Sequence, residues 1–233
     1  MKRKGMGAFW VGIGALGAFV VWTLLVKVVD VQAIGPGGSA VGFATLNGLV
    51  HALTGVHLWL YTVTDWLGLV PFGVAFGFAV LGLVQWIRRG SIRRVDRDIL
   101  VLGWFYVAVI AVYLLFEVVT INVRPVWIEG VLETSYPSST TMLVLCVMST
   151  AFLQLRARIK GRLLRRCVLA VVVSFAVFMV VGRFVSGVHW TTDIVGGALI
   201  SAALVSFYAF FAAENEAGAL QSEILRRVRR SLP

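Results

Sequence analysis

The sequence is poor in charged residues and has few cysteines. Charged side chains make up 14% of the 233 residues, whereas hydrophobic side chains make up 59%. So little polar surface does not cover a water-soluble globule, and it suits a chain whose solvent is partly lipid. Only two cysteines are present, and Cys146 falls inside a hydrophobic run while Cys167 begins another. A disulfide-stapled scaffold is therefore not expected.

Six hydrophobic runs are long enough to cross about 30 Å of hydrocarbon as helices of roughly 20 residues. They cover residues 8–29, 66–87, 98–119, 139–155, 167–182 and 191–212. We predict an all-α fold, a polytopic membrane protein with six transmembrane helices, the first of which is a retained span. Residues 1–233 then form one transmembrane domain. Its parts are a first span with an outer segment (1–65), a five-span core (66–212) and a basic cytoplasmic tail (213–233).

The basic residues are distributed unevenly across these spans. The chain has 21 Lys and Arg against 11 Asp and Glu, and all the basic residues except Lys27, Arg124 and Arg183 fall on one side. The positive-inside rule places both termini and these basic loops in the cytoplasm of a multi-pass protein of the cell membrane. Basic clusters also bind nucleic acids. Clusters that flank spans are better explained by topology and anionic lipids, so no nucleic-acid partner is predicted.

The outer segment between the first two spans has the periodicity of an amphipathic helix. Its apolar residues recur at i, i+3, i+4 and i+7, with polar residues on the opposite face: Leu46, Leu49, Val50 and Leu53 against Asn47, His51 and Thr54. This pattern is typical of a helix lying in the headgroup plane. Two interpretations stay open, a connector packed on the bundle and a lip that guides a lipid headgroup into a site.

Polar segments adjoin two span ends on the side opposite to the basic loops. Pro125 ends or redirects the third span and leaves Arg124 at the interface. Ser138, Ser139 and Thr140 stand where the fourth span begins. The free N–H groups and partial positive charge of a helix start form a ready anion site. The same hydroxyl groups would also serve simply as helix caps.

A third outer segment combines an arginine, a histidine and a carboxylate. His189 and Asp193 are four residues apart, so on a helix they share one face and the carboxylate is able to accept from the imidazole. This partner fixes the tautomer and leaves the other ring nitrogen free for nucleophilic attack. Arg183 supplies a planar fork for phosphate oxygens. Charges at a membrane boundary are costly and usually functional, so we predict an outward-facing phosphate site.

These segments resemble the motifs of the type 2 phosphatidic acid phosphatase (PAP2) family, from about residue 66 onward. That family's pattern is Lys-x6-Arg-Pro, then Pro-Ser-Gly-His, then Ser-Arg-x5-His-x3-Asp. The matching residues are Arg124-Pro125, Pro137-Ser138, and Arg183, His189 and Asp193, with Gly182 where serine is usual. Two usual active residues are replaced. Glu117 stands in the place of the phosphate-binding lysine, Thr140 stands in the place of the histidine that protonates the leaving group, and Ser139 replaces the glycine.

The resemblance implies a membrane lipid phosphatase that acts on the extracytoplasmic face without a cofactor or metal ion. His189 would attack phosphorus to form a phosphohistidine that water hydrolyses, and Asp193 would orient and stabilise the imidazolium. The implied phosphate-binding residues are Arg124, Arg183, Ser138 and Ser139. Without an acid at position 140, a polyprenyl or other lipid diphosphate is the favoured substrate, because its phosphate leaving group departs unprotonated.

Several alternatives stay open at the level of sequence. A protonated Glu117, or His51 on the outer segment, could supply the missing acid. Equally, Glu117 could pair with one of the two arginines, and His51 could be an ordinary headgroup-level residue. The protein could also bind a lipid phosphate without cleaving it, or pass the phosphoryl group to an acceptor. A transporter fits less well, because carriers place their charged groups near the membrane midplane.

Overall fold

The computed structural model describes the backbone of residues 2–231 and the side chains of residues 5–213. The side chains of the basic clusters at residues 2–4 and 226–230, and of the whole tail from residue 214, lie outside this description. The helices are α1 (Lys2–Val28), α2 (Ala44–Thr54), α3 (Leu58–Leu67), α4 (Leu69–Arg89), α5 (Arg97–Val118), α6 (Ser139–Arg158), α7 (Arg162–Val185) and α8 (Thr191–Ser231). Short 3₁₀ turns lie at Pro36–Gly38 and Ile92–Arg94.

Within the described residues, six helical stretches are long and apolar enough to cross a membrane. They are Gly5–Val28, Leu58–Arg89, Arg97–Val118, Ser139–Arg158, Arg162–Val185 and Thr191–Ala213. They agree in number and order with the predicted spans, so the all-α, polytopic prediction is confirmed. The second stretch has 32 residues, because Gly68 keeps helical φ and ψ and joins α3 to α4. A helix of this length is longer than the hydrocarbon requires.

Helix α6 lies at the centre of the bundle. Half of its most apolar window is buried, against 11% for the second span, which lies at the periphery. Helix α1 packs along α8, where the Phe9 ring lies 5.2 Å from the ring of Phe210. Near the other end of α1, the indole N–H of Trp22 donates to the carbonyl oxygen of Thr192 at 3.1 Å. Helices α1 and α6 therefore support α8 from its first turn onward.

The basic end of the bundle is held together by ion pairs. Arg158 at the end of α6 contacts Asp98 at 2.5 Å and Asp96 at 3.4 Å, and Arg89 contacts Asp96 at 2.8 Å. Burial raises the pKa of Asp96, but hydrogen bonds from Arg89 and Gln85 outweigh burial, so this pKa is lowered overall. Because α5 and α6 run in opposite directions, the residues of the predicted phosphate site lie at the other end.

Helix α2 is the predicted outer helix, and its polar face is turned inward. Asn47 is buried, and its amide donates to the Thr192 hydroxyl at 3.1 Å. On the opposite face Leu49 and Leu53 are 59% and 78% exposed. The helix is thus packed against the start of α8, as the connector interpretation expects, and it offers leucines to the surroundings. Its contact with α8 lies close to the predicted catalytic segment.

Candidate active site

His189 lies in the loop between α7 and α8, and this loop is fixed by the segment that joins α2 to α3. Gly187 has a φ of 70°, a left-handed conformation that favours glycine, and a side chain there would collide with the carbonyl oxygen of Gly55. The amide of His57 donates to the carbonyl of Ser186 at 2.9 Å. These contacts hold His189 in a buried position, where it is 5% exposed.

The imidazole of His189 faces the carboxylate of Asp193. The His189 Nδ1 to Asp193 Oδ2 distance is 3.7 Å, which is longer than a hydrogen bond. Asp193 is fully buried and is oriented by two donors, the Trp190 amide at 2.9 Å and the Asn122 side-chain amide at 3.3 Å. Neither ring nitrogen of His189 has a hydrogen-bond partner among the described protein atoms. Nε2 is therefore buried and is not engaged by any described protein atom.

The surroundings of His189 favour its neutral form. Burial lowers the pKa of His189 from 6.5 to about 4, and the positive charges of Arg124 and Arg183 act in the same direction, while Asp193 opposes them. At neutral pH the imidazole is consequently unprotonated, and an unprotonated ring nitrogen is the form that attacks phosphorus. The same shift makes stability depend on pH.

The His189 contribution to the free energy of unfolding should be full above pH 6.5 and should be lost as the pH falls toward 4. The unfolded chain binds a proton at this residue near pH 6.5, whereas the folded site binds it only near pH 4. Between these values the unfolded state holds more protons, so acid favours unfolding. We expect the melting temperature to fall less in His189→Gln than in the wild type between pH 7 and 4.5.

The matched control for this measurement is His57→Gln, because the side chain of His57 is exposed. This variant should keep the wild-type pH dependence of the melting temperature. Equal slopes for His189→Gln and the wild type would contradict the buried neutral imidazole.

The two arginines of the predicted site are brought together around one ring. The guanidinium carbon of Arg183 lies 4.9 Å from the centroid of the Tyr61 ring, and that of Arg124 lies 5.8 Å from it. An aromatic face attracts a cation at such distances. Tyr61, on α3, thus joins Arg124 from the loop after α5 to Arg183 from the end of α7. The sequence predicted the two arginines but gave no indication of the ring between them.

Each arginine also holds a carboxylate that no motif predicts. Arg183 Nη2 donates to Asp65 Oδ1 at 2.7 Å and to Thr140 Oγ1 at 3.0 Å. Arg124 Nε lies 2.8 Å from Glu133 Oε2. Further donors are buried without a hydrogen-bond partner among the described atoms, namely Nη1 of Arg124 and both Nε and Nη1 of Arg183. Such orphaned donors are costly, and an anion would satisfy them.

The polar residues at the start of α6 have two different roles. Ser138 caps the helix, since its hydroxyl accepts from the Thr141 amide at 3.4 Å, and its own amide donates to the carbonyl oxygen of Asp193 at 3.0 Å. Both Ser138 groups that were predicted to hold phosphate are therefore engaged within the protein. Ser139 and Thr140 line a cavity instead, and the first N–H groups of a helix have no intrahelical partner.

The two candidate substitute acids contact other residues than the arginines. Glu117 is exposed at the end of α5 and lines a small cavity with Tyr113 and Ser139. It forms no ion pair with Arg124 or Arg183, whose carboxylate partners among the described residues are other residues. The ring of His51 lies 5.5 Å from that of Trp190, and burial lowers its pKa.

A cavity of about 480 Å³ extends from the charged groups to apolar side chains of α4 and α5. Its polar end contains Arg183, Asp65, Ser139 and Thr140, whereas His189 and Arg124 are not among its lining residues. Its apolar walls include Leu69, Phe72, Val109, Ile110, Leu114 and Leu143. A cavity of about 540 Å³ between α6 and α7 is larger but almost wholly apolar and contains none of these charged groups. The smaller cavity has the shape and chemistry for an amphiphile.

Searches against known proteins place these motifs in a family. The sequence model of the PAP2 superfamily matches residues 116–216. Residues 116–216 are thus a PAP2 superfamily region. The match contains all of the predicted site except His51, and it begins after α3, so Tyr61 and Asp65 lie outside the PAP2 region. Asn122 lies inside the region, and its bond to Asp193 was not predicted because an amide next to an arginine carries no distinctive pattern.

One solved structure is similar to this chain at low identity. It is the crystal structure of the first transmembrane PAP2 type phosphatidylglycerolphosphate phosphatase from Bacillus subtilis. The two share 17% sequence identity with a TM-score of 0.48, over 89% of this chain and 97% of the other. No curated protein sequence matches this chain. Among the residues with described side chains, no three His, Cys, Asp or Glu side chains are grouped to hold a metal ion.

Proposed function

We propose that the protein is a membrane lipid phosphatase that cleaves a phosphate or diphosphate group through a phosphohistidine. The observation that supports this most is the surroundings of His189. Its imidazole is neutral, lies 3.7 Å from a buried carboxylate, and is acted on by the charges of two arginines that share the Tyr61 ring. Nucleophile, orienting carboxylate and phosphate-binding cations are the parts that phosphoryl transfer needs.

In the proposed reaction, His189 Nε2 attacks phosphorus and the bond from phosphorus to the leaving oxygen breaks. Asp193 Oδ2 stabilises the positive charge that the ring acquires, while Trp190 and Asn122 keep the carboxylate in place. Arg183 and Arg124 bind the equatorial oxygens, on which negative charge develops in the transition state. A water molecule then attacks the phosphohistidine, and phosphate leaves with the neutral imidazole restored.

We infer that a lipid diphosphate, such as a polyprenyl diphosphate, is the preferred substrate. Thr140 accepts a hydrogen bond from Arg183 at 3.0 Å, and a hydroxyl group in that position is a poor acid for a departing alkoxide. Positioned acid catalysis is worth about 10²–10⁴-fold, whereas a phosphate leaving group needs no proton. The cavity between α4 and α5 offers apolar walls for the lipid chain next to Arg183.

We further propose that residues 1–233 form a single transmembrane domain in the cell membrane. Both termini would be cytoplasmic and the site extracytoplasmic. The support is the charge asymmetry, since the Arg-rich loops lie at the end of the bundle where Arg158 meets Asp96 and Asp98. The positive-inside rule assigns such an end to the cytoplasm.

The function is tested by phosphate release from a panel of lipid monophosphates and diphosphates, with purified full-length protein in detergent. We expect turnover of the diphosphates, at least about tenfold faster than that of matched monophosphates because only the latter need an acid. His189→Ala serves as the blank. An acceptor-dependent phosphorylated product would indicate a phosphotransferase, and binding without turnover would indicate a non-catalytic relative. Equal rates for both substrate classes would contradict the diphosphate preference.

A further inference from the structure

The hydrogen bonds that Arg183 makes within the protein interfere with bidentate binding of a phosphate. A guanidinium binds a phosphate bidentately either through Nε and Nη2 or through both terminal nitrogens. Both arrangements use Nη2. In this structure Nη2 donates to Asp65 at 2.7 Å and to Thr140 at 3.0 Å, which accounts for both of its hydrogens. Each of the two donor pairs of Arg183 therefore contains a nitrogen, Nη2, that already donates to the protein.

The occupying carboxylate differs from the arginine in its freedom to move. The side chain of Arg183 is 2% exposed, whereas that of Asp65 is 58% exposed and borders the cavity of about 480 Å³. The buried guanidinium is fixed by its surroundings and the exposed carboxylate has room to turn away. Nε and Nη1 of Arg183 remain buried without partners, so an arriving phosphate meets free donors beside the occupied one.

The position of Asp65 depends on a close approach of α3 to α7. Thr64 packs on Gly182, where a Cβ atom would lie 2.7 Å from the Thr64 methyl group. The next residue of α3 is Asp65, which reaches Arg183, the neighbour of Gly182. Two departures from the family motif are thus close to the Arg183–Asp65 pair, Thr140 through its bond to Arg183 and Gly182 through its contact with Thr64. Without a side chain at position 182, α3 is close enough to place a carboxylate on the arginine.

Resting on the proposed function, we propose that Asp65 is an internal anion that competes with substrate and product phosphate for Arg183. Phosphate displaces Asp65 from Nη2 when it binds, and Asp65 returns to Nη2 when phosphate leaves. The carboxylate weakens phosphate binding in a pocket that otherwise contains two arginines. It thereby promotes release of the product and acts as a positioning residue, without touching the reacting atoms.

The test measures inorganic phosphate binding to the full-length protein in detergent, as an inhibition constant and as a phosphate-induced rise in melting temperature. Asp65→Asn should lower the inhibition constant for phosphate by about tenfold or more, because a hydrogen bond to a charged group is exchanged for a neutral one. Glu129→Gln removes an exposed carboxylate from the loop after α5 and should leave phosphate affinity unchanged. Gly182→Ser should act in the same direction as Asp65→Asn, since it moves α3 away without altering charge.

Unchanged or weaker phosphate binding in folded Asp65→Asn overturns the proposal, and weaker binding would mean that Asp65 positions Arg183 for phosphate. If Asp65→Asn does not fold, Gly182→Ser decides, and unchanged affinity in that variant is the contrary result. A different result would contradict the proposed function. A wild-type protein that binds phosphate but hydrolyses no lipid phosphate contradicts the enzyme, and the melting-temperature shifts still test Asp65.

Discussion

Replacement of His189 with alanine is expected to lower kcat by roughly 10⁴-fold or more, since removal of a nucleophile eliminates the covalent route. The imidazole is 5% exposed and lies beside a fully buried carboxylate, so no nearby ring takes over. His51 was a candidate substitute acid, and its contact is with the Trp190 ring. The measurement is phosphate release from a lipid diphosphate, combined with acid quenching to trap an acid-labile phosphoprotein in the wild type.

His57→Ala is the matched control for this experiment, because it removes an exposed histidine from the start of α3. It should retain wild-type turnover and the trapped phosphoprotein. A phosphoprotein that persists in His189→Ala would assign the nucleophile to another residue.

Arg183→Lys is expected to reduce kcat/KM by roughly 10²–10³-fold, the usual cost of losing a donor to the transition-state oxygens. Lysine keeps the positive charge but has no planar fork. An ammonium that donates to Asp65 and Thr140 also keeps only one donor for phosphate, whereas the guanidinium keeps Nε and Nη1. The measurement is kcat/KM for the substrate that the wild type turns over fastest.

Arg166→Lys, an exposed position near the start of α7, makes the same chemical change at the opposite end of that helix. It should behave as the wild type. Near-normal kcat/KM in Arg183→Lys would show that a positive charge alone suffices at this position. It would contradict bidentate binding of phosphate by the guanidinium.

The spans and the clustering of the motif residues were predictable because they depend on local properties. Hydrophobic runs of about 20 residues define the helices, and the spacing of His189 and Asp193 brings their side chains together at the start of α8. The pairing of Arg124 with Arg183 was expected from their shared side of the membrane. The contact of both arginines with the Tyr61 ring was not expected, because this ring comes from α3, which carries no motif.

The tertiary contacts of α2 and α3 could not be predicted from the periodicity of their sequences. The pattern of α2 indicated an amphipathic helix, but it did not reveal that Asn47 would be buried against Thr192 while Leu53 stays exposed. Asp65 had no assigned role, because its distance from Arg183 depends on how two helices 118 residues apart in sequence pack. The hydroxyl of Ser138 was predicted either to bind an anion or to cap α6, and the cap is what the fold uses.

The close contact between Thr64 and Gly182 makes substitutions at two positions far apart in the sequence depend on each other. A serine at position 182, the residue usual in the family, does not fit beside the Thr64 methyl group at its present distance. A serine at this position therefore moves α3 unless a smaller residue replaces Thr64. The effects of substitutions at positions 64 and 182 on the free energy of unfolding should therefore not add, and the outcome of one depends on whether the other is already present.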